Sequence, residues 1–125
     1  MKISKADIEK YLSDVYTAII SGRYQISARE KNQDLYIDYV FKEDDAKKVI
    51  LSLIPEDFSD VVSNEHAQHS EEILYIFGKD ISLLPRFGGD EEQVSLYIKF
   101  NKLPNQYLIV ISFHKQKYPL TYKFK

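Results

Sequence analysis

Apolar residues recur at Ile8, Leu12, Val15 and Ile19, the spacing of one face of a helix. Ser4-Lys5-Ala6-Asp7, just upstream, resembles a capping box with Asp in place of the usual Glu, and Gly22 suits a left-handed helix stop. Together they predict a helix over Lys5–Ser21. Arg23–Arg29 (RYQISAR) reads as an extended connector. Leu35–Phe41 (LYIDYVF) is two-sided. Its β-rich content favours a strand, whereas Asp38 and the polar flanks KNQD and KEDD leave a helix open. Asp44 or Asp45 can cap a helix through Ala46, Val49, Ile50 and Leu53, ended by Pro55. Pro55-Glu56-Asp57-Phe58 reads as the first turn of a short helix with Pro at its first position. Residues 63–70 are polar loop.

The pattern then changes period. Ile73–Phe77 predicts a strand turned by Gly78-Lys79-Asp80, and Leu84–Glu92 a loop with Pro, two Gly and three acids. Val94–Asn101 and Gln106–Phe113 form a hairpin across Lys102–Asn105. Leu120–Phe124 is a candidate last strand. Alternation sets Leu96, Ile98 and Phe100 on one face and Tyr97, Lys99 and Asn101 on the other. On the next strand it groups Tyr107, Ile109, Ile111 and Phe113 against Leu108, Val110, Ser112 and His114. That strand is apolar on both faces until Ser112 and His114, which marks it as central. The cross-strand register is left open. Helices first and a strand meander last predict an α+β fold, helices packed on an antiparallel sheet, in one domain over residues 1–125.

Charge sharpens the picture. Residues 1–92 hold 11 Lys and Arg against 19 Asp and Glu, whereas residues 93–125 hold six lysines and no acid. The basic stretch is also the clearest β-region, so a basic sheet bearing Tyr, Lys, Asn and His is expected to face an anion, RNA among them. Absence of cysteine excludes disulfides, thiolate metal sites and cysteine nucleophiles. The first residues lack the apolar core of a secretory signal, and no apolar run approaches the ~20 residues of a membrane span. A cytoplasmic protein without membrane association is therefore expected.

DAKKVILSLIPEDF, EILYIFGKD, VSLYIKF and LIVISFHK, in that order, resemble the MqsR family of type II toxin–antitoxin toxins over about residues 45–115. The resemblance implies a RelE-like fold with a curved antiparallel sheet, and a helix at LYIDYVF. It implies an mRNA interferase cutting RNA by 2′-OH attack without metal or other cofactor, on or off the ribosome, and neutralised by a cognate antitoxin protein. The tyrosine of the family's Tyr-x-Lys strand falls on Tyr97, and the basic residue of its Ser-Phe-basic strand end falls on His114. The chain departs from the family at Asp57-Phe58-Ser59-Asp60, where a lysine commonly follows the Asp-aromatic pair and the charge is here reversed.

Cleavage of this kind needs a base for the ribose 2′-OH, cations for the phosphorane and an acid for the leaving oxygen. His114 is the candidate acid or base, since imidazole titrates near neutral pH. Tyr97 is the second catalytic candidate, to orient the ribose or act as acid. Lys99, Lys115 and, more distantly, Arg86 are candidates for holding phosphate. The bland alternatives are a solvated sheet face and a strand-terminal histidine. His66 and His69, with Glu65, Glu71 and Glu72, have metal-like spacing, but loop histidines among acids are more often only solvated, so no metal is expected. The tail KQKYPLTYKFK interleaves lysine with aromatics, which suits single-stranded nucleic acid and equally a guarded edge strand. Two further readings stay open: a catalytically inactive interaction, immunity or regulatory protein on the same scaffold, and a non-catalytic RNA-binding module.

Overall fold

The structure is a computed structural model that describes residues 2–125. Helix α1 spans Lys5–Ser21. Its start is fixed by a reciprocal cap: Asp7 N donates to Ser4 Oγ (3.1 Å) and Ser4 N to Asp7 Oδ2 (2.9 Å). Gly22, at φ 76°, ends it. Strand β1 (Tyr24–Ile26) follows, then α2 (Glu30–Asp38), α3 (Glu43–Leu51), a 3₁₀ turn at Pro55–Asp57, and strands β2 (Phe58–Ser63), β3 (Ile73–Leu83), β4 (Glu92–Lys102) and β5 (Leu108–Lys115). The fold is α+β, with the helices packed on one face of the sheet.

The sheet order is β1-β5-β4-β3-β2. It is mixed, which corrects the all-antiparallel expectation: β1 runs parallel to β5, pairing Tyr24–Ile26 with Leu108–Val110, while the other pairs are antiparallel. A three-residue strand with a polar centre leaves no periodic trace in sequence. Residues 35–38 belong to α2, because Asn32 and Leu35 are the inward face of a helix that starts in the polar KNQD flank. The chain after Asp38 is extended and stitched to the β3–β4 loop by Val40 N to Leu84 O and Arg86 N to Asp38 O, both 2.9 Å.

Two further corrections concern the path of the C-terminal tail. Gly78 does not turn the chain. Strand β3 runs straight through it, and side chains of the tail that crosses there fill the space a Cβ would take. An added Cβ would overlap the Tyr122 hydroxyl oxygen and lie 2.8 Å from Leu120 Cδ1. Leu120–Phe124 is not a strand. It is part of a strap that starts with Gln116 N donating to Ser95 O (2.8 Å) and ends with Lys123 N on Phe58 O (3.2 Å) and Phe124 stacked on Phe58.

The core lies between helices and sheet. Phe58, Phe77, Phe100 and Phe113 meet Ile8, Leu12, Ile19, Leu35, Ile50 and Leu53 there, all at most 2 % exposed. Tyr11 stacks on Tyr75 at 3.8 Å between ring centroids. Among the described residues no helix covers the opposite face of the sheet. That face carries Tyr97, Lys99 and His114.

Candidate functional site

Register decides which side chains meet. In β4 and β5, Tyr97 pairs with His114 and Lys99 with Ser112, so all four share the open face. A bulge between these pairs and Phe100–Val110 makes Ile111 the extra residue. The bulge corrects simple alternation along β5: Leu108, Val110 and Phe113 all point into the core, while Ser112 and His114 point out of it.

Asn32 of α2 holds the bulge. β1 ends at Ile26, so the edge of β5 beyond Val110 has no strand partner. The Asn32 side chain takes that place: its amide donates to Ile111 O and Ser27 O, and its oxygen accepts from Phe113 N, each at 2.9 Å. Asn32 is 2 % exposed, so these peptide groups would otherwise be buried without partners. The same local path sets Arg29 at the start of α2, with Nη1 donating to Ser112 Oγ at 3.4 Å.

The result is a cleft of about 310 Å³ between the start of α2, the β4–β5 face and the strap. Arg29, Lys31, Lys99 and Lys117 line it with His114, Tyr97 and Ser112, and among the described residues no Asp or Glu does. Tyr97 and His114 stack in its floor with ring centroids 5.3 Å apart and planes 14° apart. His114 Nδ1–H donates to the Lys115 carbonyl at 2.8 Å, so the neutral ring carries its lone pair on Nε2. Burial pushes the Tyr97 phenol pKa up, against a smaller opposing pull from Arg29, which keeps the hydroxyl protonated. Lys99 moves the other way. Burial lowers its pKa, Arg29 adds to the effect, and Glu65 opposes it. Lys99 therefore gives up a proton more readily than an ordinary lysine.

Of the five sequence candidates, His114, Tyr97 and Lys99 come together here. Lys115 and Arg86 do not. Lys115 pairs with Leu96 and so lies on the helix side, its ammonium 5.0 Å over the Tyr39 ring. The Tyr39 side chain raises the Lys115 pKa against the opposing effect of burial, and the charges of Glu92 and Asp38 add to the rise. Arg86 binds the other end of α2, donating to Tyr36 O at 2.6 Å, where a cation complements the helix C-terminus. Arg29, Lys31 and Asn32 were missed. Their only signal was a cluster of polar and basic residues beside the ambiguous LYIDYVF. His66 and His69 are 5.5 Å apart between ring centroids, but among the described residues no group of three or more His, Asp or Glu side chains is arranged to hold a metal ion. No helix among those residues is long and apolar enough to cross a membrane. Compared with known proteins, the chain matches no family model and no curated protein.

Proposed function

We propose that this protein is a metal-independent endoribonuclease, the toxin of a type II toxin–antitoxin pair. The observation that supports it most is the acid-free cleft in which four cations surround a stacked Tyr97–His114 pair. In this reading a ribose 2′-oxygen attacks the adjacent phosphorus. His114 Nε2 takes the 2′-OH proton as the P–O2′ bond forms. Arg29 donates to the non-bridging oxygens as charge builds on them. The P–O5′ bond breaks, and Lys99 supplies the proton to the departing 5′-oxygen. The products are a 2′,3′-cyclic phosphate and a 5′-hydroxyl. Tyr97, held protonated, orients the ribose by donating a hydrogen bond. The resemblance to MqsR toxins points to the same chemistry and to a neutralising antitoxin as partner.

One observation favours a second reading, binding without cleavage. Asp60 pairs with Ile76, which pairs with Lys99, so the reversed charge sits in the same row of the open face. Growth after tightly induced expression in a bacterial host separates the two. The toxin reading expects arrest by wild type and growth with His114→Ala at matched soluble level. Growth with both contradicts it, and arrest by both removes His114 from the mechanism.

A further inference from the structure

The strap that closes the cleft is fixed at two places and arched between them. Gln116 is pinned to the central strand β4 just past the end of β5, its Nε2 donating to Leu96 O at 2.9 Å as well as its backbone N to Ser95 O. Thr121 O accepts from Ser59 Oγ at 2.7 Å, and Phe124 packs on the buried Phe58. Between these anchors, Lys117, Tyr118 and Pro119 stand off the sheet at the mouth of the cleft. Tyr118 is 71 % exposed, one of the most exposed large apolar side chains in the protein, and it has no ring partner within the sheet among the described residues. Lys117 Nζ lies 5.7 Å from its ring centroid, on the same arch. An aromatic ring held in water beside a set of cations has the composition of a single-strand nucleic-acid platform, where backbone charge and base stacking act together.

We propose that the 117–119 arch is a base clamp: Tyr118 stacks on the base next to the phosphate held by Arg29 and Lys99, so the cleft takes an unpaired nucleotide and discriminates against a backbone whose bases are absent or paired. This rests on the cleft being an RNA site. It adds to that reading a role for a tail segment that touches none of the reacting atoms, so Tyr118 is a positioning residue.

The test is equilibrium binding of three uncleavable 2′-O-methyl probes: a short single strand, the same strand with abasic sites, and the duplex. Base stacking of this kind is worth about tenfold in affinity for one good contact. Wild type is expected to bind the single strand about tenfold more tightly than the abasic strand or the duplex. Tyr118→Ala is expected to remove that preference while binding the abasic strand as wild type does, and Tyr118→Phe to restore it. Tyr118 is exposed and off the core, so the substitution leaves folding intact. Arg29→Gln is expected to weaken all three probes. If Tyr118→Ala keeps the preference while Arg29→Gln loses affinity, the clamp is overturned and the cleft stands. If Arg29→Gln binds all three as wild type does, or wild type binds none, the cleft reading itself fails and the clamp with it.

Discussion

Lys99 is a residue whose environment works against stability and for chemistry. Its pKa in the folded protein lies below that of the unfolded chain, chiefly through burial. Between the two values the unfolded chain binds more protons, so stability rises with pH there, and below both the charged ammonium counts against the fold. Lys99→Met should therefore raise the denaturation midpoint at neutral pH while reducing RNA cleavage, by ~10²–10⁴-fold if the amine is the general acid. An unchanged or lower midpoint would show that Lys99 is not penalised by burial. A substrate with sulfur in the 5′-bridging position needs no proton on its leaving group. Lys99→Met should cut that substrate nearly as fast as wild type does, whereas His114→Ala should not. Equal failure of both variants on it would contradict the division of roles. Asn32 makes a purely structural prediction. Asn32→Leu removes the side-chain partner of the Ile111 and Ser27 carbonyls and of the Phe113 N–H, at about 1–3 kcal/mol for each such group left buried. Urea unfolding should show a loss of that order, and a loss below ~0.5 kcal/mol would mean that water or a shifted backbone replaces the amide.

Elements that announce themselves in sequence are those with a long period and a chemical stop. The α1 face, its Ser4–Asp7 cap and Gly22 could be read directly, as could the Val94–Phe113 hairpin. Elements decided by distant partners could not. β1 is a strand only because β5 offers it an edge. β2 forms because Ile73–Phe77 of β3 offer it an edge, and Gly78 looked like a turn because nothing local reveals the strap above it. The bulge at Ile111 is set by Asn32, some eighty residues away in sequence, so alternation put Ser112 and His114 on the same face as Leu108 and Val110. His114, Tyr97 and Lys99 were legible because they sit on adjacent strands. Their cationic neighbours Arg29 and Lys31 were not, because they reach the site through α2. The strap supplies a test at this scale. Gly78→Val forces Tyr122 and Leu120 off the sheet, and amide exchange should then speed up across residues 116–124 while β4 stays protected. Unchanged exchange in the strap would show that the sheet, not the strap, gives way.

At the scale of the whole molecule, the chain separates its charge. Residues 1–92 carry all the acids, and the open sheet face gathers cations around one small cleft. A net charge of −2 therefore conceals a surface that attracts a polyanion locally. If Arg29, Lys31, Lys99 and Lys117 each neutralise a phosphate of a single strand, log K against log salt should fall with a slope of about −3, and Arg29→Gln should reduce it by about 0.7. A slope near zero would mean that the cleft does not bind phosphate.

If this cleft breaks RNA with its own side chains, cleavage needs no added metal and leaves the ends of 2′-OH attack. The direct measurement is incubation of RNA with purified protein in excess EDTA, alone and with translating ribosomes, followed by analysis of the product ends. Wild type is expected to leave 2′,3′-cyclic phosphate and 5′-hydroxyl ends, and His114→Ala to leave the RNA intact. Intact RNA under every condition with wild type, or the same cleavage from His114→Ala, would contradict it.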